Sequence, residues 1–121
     1  MTVLDARKYG FDYQTLNRDI AAGGRTVTVN NCLGQRFIGS GQSGKTITLN
    51  GVPGNALGAY LDGADIIVNG NAQDATGDTM NAGTIVVHGS TGDAAGYAMR
   101  GGAIYVRDDA GYRAGIHMKA Y

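Results

Sequence analysis

The most recognisable chemical pattern in this sequence is GSGQSGKT, which runs from Gly39 to Thr46. It fits the phosphate-binding pattern G-x-x-x-x-G-K-[ST], and its first six letters also fit the dinucleotide pattern G-x-G-x-x-G. Such a loop binds phosphate because its glycines let backbone N–H groups surround the anion and because a helix begins at the Lys-[ST] pair. Nucleotide binding is therefore the first hypothesis to test against the surrounding sequence.

The residues that follow the loop do not fit a nucleotide site. Ile47 and Leu49 alternate with polar residues, which is the period of a strand. Gly51 and Pro53 come next, and they stop a helix from forming there. The sequence thus predicts a strand where a nucleotide site requires a helix, and we expect no nucleotide affinity.

The bulk composition excludes several classes of partner. Ten basic residues balance ten acidic residues, so the net charge favours neither nucleic acid nor an anionic membrane. The single cysteine, Cys32, excludes an internal disulfide and is typical of a reducing compartment. No signal-peptide run or membrane-spanning stretch is present in the sequence, which predicts a cytoplasmic protein.

Glycine is unusually frequent, with 21 residues against a single proline. Collagen is excluded because no G-x-y triplet runs through the chain, and a flexible linker is excluded because 43% of the residues are hydrophobic. A tightly turned repeat is the remaining explanation, and the sequence contains one.

The repeat returns at every nineteenth position, apart from a first step that is one position longer. Its inner apolar pairs are Val27/Val29, Ile47/Leu49, Ile66/Val68, Ile85/Val87 and Ile104/Val106. A glycine column contains Gly39, Gly58, Gly77, Gly96 and Gly115. A third column contains Leu61, Met80, Met99 and Met118. One unit cannot bury its own apolar pair, whereas stacked units can.

These units predict an all-β protein, a parallel β-helix of about 19 residues per coil and roughly five coils. We expect Ile47, Ile66, Ile85 and Ile104 to form a buried ladder and the glycine column to form its corners. The left-handed hexapeptide helix fits less well, because nineteen is not a multiple of six.

The first residues differ from the repeat. The stretch DYQTLNRDIAAGG predicts a short helix that covers the first coil, with Asp12 as its N-cap and Gly23 as its C′ residue. Its apolar face contains Tyr13, Leu16 and Ile20. The predicted organisation is therefore an N-terminal segment, 1–23, followed by β-helix repeats over 24–121.

The candidate chemical residues have simple structural explanations. His88 and His117 have no partner at metal-ligand spacing. Asp74 and Asp93 share a column with Asn55, where either acid–base chemistry or turn formation is possible, and turn formation is the favoured interpretation. We therefore predict no catalytic, metal-binding or cofactor-binding residue, and we interpret Cys32 as packed.

Two stretches, GNAQDATGDTMNAG and GYRAGIHMK, give the sequence a specific resemblance to a known family. The chain resembles the glycine-rich β-helix (GXGXG) domain of the glutamate synthase large subunit, and also stand-alone subunits of glutamate synthase-like and N-methylglutamate synthase complexes. The glycine-rich β-helix subunit of formylmethanofuran dehydrogenase is a more distant relative. The resemblance implies a right-handed β-helix that is a non-catalytic scaffold without cofactors, working beside amidotransferase and FMN-barrel subunits.

The C-terminal end raises a further expectation. The sequence stops where a sixth coil would begin, so the chain is interpreted as a fragment, a naturally short relative or a designed piece. The last coil should then have an open edge around Ile104, Val106 and Met118, through which we expect homo-oligomer formation or docking of a partner subunit. The alternatives are a self-assembling or designed β-helix fragment without activity and a scaffold like the β-helix subunit of formylmethanofuran dehydrogenase. A polysaccharide-processing enzyme is a further alternative, although the scattered polar columns do not supply the converging site that such an enzyme needs.

Overall fold

A computed structural model describes residues 1–111 and 118–120. Its strands are β1 (Thr2–Asp5), β2 (Thr26–Leu33), β3 (Thr46–Val52), β4 (Asp62–Asn69), β5 (Ala82–Val87), β6 (Ala103–Val106) and β7 (Met118–Ala120). The helix α1 spans Tyr13–Ala22, and a short 3-10 helix spans Ala6–Lys8.

The strands form one parallel sheet in chain order, from β1 to β7. Ile47 lies opposite Ile66, Ile66 opposite Ile85, and Ile85 opposite Ile104, so the period of the sequence is the register of the sheet. The predicted all-β parallel fold is confirmed as a β-solenoid, with about four turns rather than roughly five.

The strands bury alternate residues because successive side chains point to opposite faces of a strand. In β3, Ile47 and Leu49 are fully buried, whereas their neighbours Thr48 and Asn50 are partly exposed. The same alternation places Ile66, Ile85 and Ile104 inside, each fully buried. Burying a side chain of this size stabilises the fold by roughly 1.5–3 kcal/mol, so this ladder is a major source of stability.

The helix α1 begins at its predicted N-cap. The Asp12 carboxylate accepts hydrogen bonds from the Thr15 N–H at 3.0 Å and the Thr15 hydroxyl at 2.6 Å. These bonds favour the charged carboxylate and lower the pKa of Asp12. Leu16 and Ile20 are fully buried, so this face covers the first coil as predicted.

The C-terminal end of α1 differs slightly from the prediction. Gly23 is the C-cap residue, with φ of −80°, and its N–H donates to the Ile20 carbonyl at 3.1 Å. The left-handed conformation falls one residue later, at Gly24, where φ is +84°. Gly23 is therefore not the left-handed C′ residue that the sequence suggested.

Strand β1 is an element that the repeat did not reveal. Thr2 lies opposite Val27, and Asp5 lies opposite Asn30, so the N-terminal segment joins the sheet before it forms the helix. This step along the chain is longer than those between the later strands, because α1 and its connections are inserted between β1 and β2.

The step from β2 to β3 is one position longer than the next step, and the structure shows where the extra residue lies. The register shifts between Val29 and Cys32, and Asn31 within this interval has φ of +61°. This is a β-bulge, which bends the strand locally. The side chain of Asn31 contacts strand β1, where its amide donates to the Asp5 carboxylate at 3.3 Å.

The last strand does not continue the period of the repeat. Met118 lies opposite Ile104, so the prediction that Met118 follows Met99 in one column is wrong. A shorter connection brings β7 into line with β6. The glycine predicted for this connection, Gly115, lies outside the described residues, as does His117.

Candidate functional site

The corners after strands β2, β3, β4 and β5 share an unusual backbone pattern, in which three alternate residues have positive φ. In the first corner these are Phe37 (60°), Gly39 (76°) and Gly41 (70°). The pattern recurs at Ala56/Gly58/Tyr60, Ala75/Gly77/Thr79 and Ala94/Gly96/Ala98. A residue with a Cβ is strained by about 1–3 kcal/mol in this conformation, yet only the middle position is glycine in all four of these corners.

Packing explains why the middle residue has no side chain. A Cβ built on Gly39 would lie 2.9 Å from Ile66 Cδ1, and one on Gly58 would lie 2.7 Å from Ile85 Cδ1. Gly77 has the same relation to Ile104. The glycine column and the isoleucine column, which the sequence presents separately, are therefore two sides of one contact.

Backbone hydrogen bonds join each corner to the preceding corner of the chain, which lies above it. The N–H of Gly58 donates to the Ile38 carbonyl at 2.8 Å, and the N–H of Gly77 donates to the Leu57 carbonyl at 2.7 Å. Gly96 donates to the Thr76 carbonyl in the same way, at 2.7 Å. The first corner has no coil above it, so its groups need another partner.

Asn17 of α1 supplies that partner. Its Oδ1 accepts from the Gly39 N–H at 2.8 Å, and its Nδ2 donates to the Phe37 carbonyl at 2.8 Å. A side-chain carboxamide has the same donor and acceptor as a peptide group, so Asn17 replaces the missing coil. Sequence reasoning missed this residue, since its only signal was a polar side chain on the helix that caps the coil.

The lysine of the phosphate-loop pattern also contacts α1. The Lys45 ammonium donates to the Ile20 carbonyl at 2.7 Å and to the Ala21 carbonyl at 2.9 Å. These carbonyls belong to the last turn of the helix, where a cation is favourable. Because Thr46 begins a strand, the surroundings differ from those of a phosphate-binding loop.

The column of Asn55, Asp74 and Asp93 forms a ladder of hydrogen bonds between successive coils. Asn55 Oδ1 accepts from the Asp74 N–H at 3.0 Å, and Asp74 Oδ1 accepts from the Asp93 N–H at 2.8 Å. All three residues lie in turns, as interpreted, but the side chains of Asn55 and Asp74 bond the next coil rather than the local backbone. Beside it, Asn71 Oδ1 accepts from the Ser90 N–H at 2.8 Å in a parallel ladder. These side chains join one coil to the next.

Three further reactive side chains, those of Cys32, Tyr9 and Asp5, are buried or held by a partner. Burial raises the pKa of the Cys32 thiol to about 11, so the thiolate is scarce near neutral pH. The Tyr9 hydroxyl donates to Asp19 at 2.6 Å, which raises the pKa of Tyr9 to about 12. The guanidinium of Arg7 binds Asp5 and holds the pKa of that carboxyl well below its usual range. Half-buried His88 follows β5.

Within residues 1–111 and 118–120, no three His, Cys, Asp or Glu side chains come together in a group that could hold a metal ion. In the same part of the chain, no helix has the length and apolar character needed to cross a membrane.

Two of the three predicted interface residues, Ile104 and Val106, lie further inside than the sequence suggested. Ile104 is fully buried and Val106 is 4% exposed, and strand β7 pairs with strand β6 along its outer side. The edge of the sheet is therefore the backbone of β7, beginning at Met118, rather than the coil that contains Ile104.

A parallel β-solenoid whose corners after β2, β3, β4 and β5 each contain a buried glycine is the class of protein that this structure defines. The sequence profile of the GXGXG motif family matches residues 3–121, and the chain belongs to that family. No curated protein and no solved structure matches it.

Proposed function

We propose that this chain is a non-catalytic scaffold, as a subunit or domain, in a glutamate synthase-like amidotransferase complex. The observation that carries the proposal is the family match over residues 3–121. In complexes of this type an amidotransferase part releases ammonia from glutamine, and an FMN-containing barrel with an iron–sulfur cluster uses the ammonia on 2-oxoglutarate. The proposed role of the solenoid is to hold these two parts in position, in the cytoplasm.

The internal contacts of the solenoid are suited to such a role. Asn55, Asp74 and Asn71 each use a side-chain oxygen to bind the next coil. The backbone ladder and the isoleucine column join the same coils. Stacked strands lie about 4.8 Å apart, so a rod of this kind keeps attached parts at a fixed spacing.

The proposal is tested by tagging the chain in its native host and purifying it under mild conditions. We expect a glutaminase-type amidotransferase and a flavin-containing barrel to copurify, and glutamine-dependent glutamate formation to depend on the chain. The variant Gly77→Val should lose the complex, and Ala75→Gly in the same corner should retain it. Unchanged activity in a strain that lacks the chain would contradict the proposal.

We also propose that copies or partner subunits associate through the C-terminal end of the solenoid. Among the described residues β7 is the outermost strand of the sheet, and a strand edge without a partner recruits other chains. A two-fold pairing of β7 edges would bury the same surface on both copies and end growth. Light scattering should therefore give a mass above that of the monomer, and Lys119→Pro, which removes a backbone donor from β7, should reduce it. A monomeric mass at high concentration would overturn this.

A further inference from the structure

We propose that the N-terminal face of the solenoid binds an extended segment of another polypeptide, which pairs with the corner Leu33–Arg36 as an added strand and has acidic and apolar side chains. This partner is additional to the scaffold role, and the inference does not depend on that role. It rests on the hydrogen bonds that the later corners make with the corners before them. It also rests on the exposed apolar side chains and the basic residues beside Leu33–Arg36.

The second corner shows what a corner receives from the coil above it. The Gly34 N–H donates to the Val52 carbonyl at 2.8 Å, and the Phe37 N–H donates to the Asn55 carbonyl at 2.9 Å. In return, the Gly54 N–H donates to the Gln35 carbonyl at 2.8 Å. The second corner thus presents the Val52 carbonyl, the Gly54 N–H and the Asn55 carbonyl to the first corner, as an acceptor, a donor and an acceptor.

The first corner presents the same pattern. Its corresponding groups are the Leu33 carbonyl, the Gln35 N–H and the Arg36 carbonyl, because Leu33 lies opposite Val52 and the following residues continue this register. Among the described residues, no hydrogen bond reaches these three groups. A β-strand added above this corner would complete them.

The two elements that cover the first coil stop on either side of this corner. Strand β1 ends at Asp5, which lies opposite Asn30. Helix α1 resumes the contacts only at Phe37 and Gly39, through Asn17. The uncovered stretch is therefore the part of the first coil between these two contacts, and the N–H of Leu33 is held there by the side chain of Gln35.

A groove runs beside this open edge, and its apolar side chains are strongly exposed. Phe11 is 96% exposed and Leu33 is 80% exposed, and both line the groove together with Cys32 and Gln35. Its volume is about 890 Å³, which is sufficient for several residues of an extended chain. Large apolar side chains with this degree of solvent exposure favour binding of a partner that buries them.

The charge around the edge indicates an acidic partner. Arg7 lines the groove, and the exposed Lys8 and Arg36 directly follow the groove residues Arg7 and Gln35 in the sequence. Arg7 is paired with the Asp5 carboxylate at 2.8 Å, so the positive charge left to attract a partner is that of Lys8 and Arg36. Residues 1–50 contain six basic and three acidic residues, whereas residues 51–121 contain four basic and seven acidic residues. The balanced net charge therefore conceals a basic N-terminal part, and opposite charge favours an acidic segment.

The test uses labelled peptides and the intact chain. We expect Glu-Val-Thr-Val-Glu to bind with a Kd of about 0.1–1 mM, since it adds only a few backbone hydrogen bonds and one apolar contact. The basic peptide Lys-Val-Thr-Val-Lys should bind about tenfold more weakly, because the charges repel. In NMR titrations the amide of Gln35 should show one of the largest shifts.

Matched variants locate the site. Leu33→Asp and Phe11→Asp should weaken binding of the acidic peptide about tenfold, whereas Tyr97→Asp, which changes an aromatic residue that is 62% exposed elsewhere, should leave it unchanged. Methylation of the peptide's backbone nitrogens should abolish binding, because strand addition needs their N–H groups.

Three outcomes would overturn the proposal. The first is no saturable binding of the acidic peptide at millimolar concentration. The second is equal binding of the N-methylated peptide, which would indicate a nonspecific apolar contact. The third is self-association of the unmodified chain that Leu33→Asp abolishes, which would assign this edge to a second copy.

Discussion

The first coils and the later coils of the solenoid share one backbone geometry but differ in what fills the interior. The position after the first left-handed residue of each corner is fully buried throughout, and it holds Ile38, Leu57, Thr76 and Ala95 in turn. Apolar volume at this position therefore falls along the chain. The N-terminal coils also receive Leu16 and Ile20 from α1, which the later coils lack.

The later coils also bury polar atoms. The Thr76 hydroxyl donates to the Gln73 carbonyl at 3.1 Å, whereas the buried Thr91 hydroxyl has no hydrogen-bond partner among the described residues. An unpaired buried hydroxyl costs about 1–3 kcal/mol. The comparison teaches that the repeated backbone fixes the fold while the side chains inside fix local stability. We expect the C-terminal coils to open before the N-terminal ones.

The largest effect is expected from Gly77→Val in the third corner. The valine would be strained at φ of +70° and would collide with Ile104, so we expect a loss of about 4 kcal/mol of unfolding free energy. Denaturant titration measures this loss. The control is Ala75→Gly, two residues earlier in the same corner, which relieves the strain of a left-handed alanine at φ of +57° and should not lower stability. If Gly77→Val unfolds like the parent, the corner does not have this packing.

A second large effect is expected from Ile85→Ala in the middle of the ladder. Because this side chain is fully buried, its truncation should cost about 2–5 kcal/mol. The neighbouring Val86→Ala, on the outer side of the same strand, should cost less. A measured loss below about 0.5 kcal/mol for Ile85→Ala would mean that the buried isoleucine ladder does not stabilise the first and the later coils as described.

The N-terminal cap is tested by Asn17→Ala. This change removes the partner of the Gly39 N–H and one of two donors to the Phe37 carbonyl, which keeps its bond from the Ser40 N–H. We expect a cost of about 2 kcal/mol, mainly from the unpaired Gly39 N–H. Hydrogen exchange at the Gly39 amide should also become faster. Exposed Gln14 on the same helix provides the control, as Gln14→Ala should have little effect on either measurement. Unchanged exchange in Asn17→Ala would show that the cap is not closed by this side chain.

A smaller effect of opposite sign is expected from Thr91→Val in a later coil. Valine has a similar shape without the unpaired hydroxyl, so stability should rise by about 1 kcal/mol. Thr76→Val, which removes a hydroxyl that has a partner, should not give this gain. Thermal unfolding of the two variants compares them directly. A loss of stability in Thr91→Val would indicate that its hydroxyl is paired in solution, and the interior of the later coils would then be better satisfied than this structure indicates.

The smallest effect concerns Lys45. We expect no binding of Mg-ATP in calorimetric titrations of the parent, and Lys45→Ala should lower stability by about 0.3–1 kcal/mol by removing the cation at the end of α1. Lys8→Ala, at an exposed position in the short 3-10 helix, is the control. Micromolar ATP binding that Lys45→Ala abolishes would restore the nucleotide hypothesis.

The features that the sequence predicted are those that repeat. Ile66 and Gly58 belong to columns with a constant step, and stacking turns such a step directly into strand register. Helix α1 was predictable for a different reason, because Asp12 and the spacing of Leu16 and Ile20 are local signals.

The features that were missed depend on contacts between different coils. Strand β1 has no equivalent in the repeat, and the roles of Asn17 and Lys45 depend on how the helix lies against the first coil. Alanines such as Ala75 gave no sign of their left-handed conformation, because alanine itself favours ordinary helical and extended backbone. The register of β7 also could not be predicted, since its connection breaks the period.

The constant step between strands β3 and β6 restricts how the length of such a protein can change. An insertion of one full repeat between two strands adds one complete layer, and every later side chain keeps its inward or outward direction. An odd insertion within a strand turns all the following side chains of that strand to the opposite face. Length in this architecture therefore grows by whole layers, and genetic duplication of a single repeat is enough to lengthen the rod without a new core being invented.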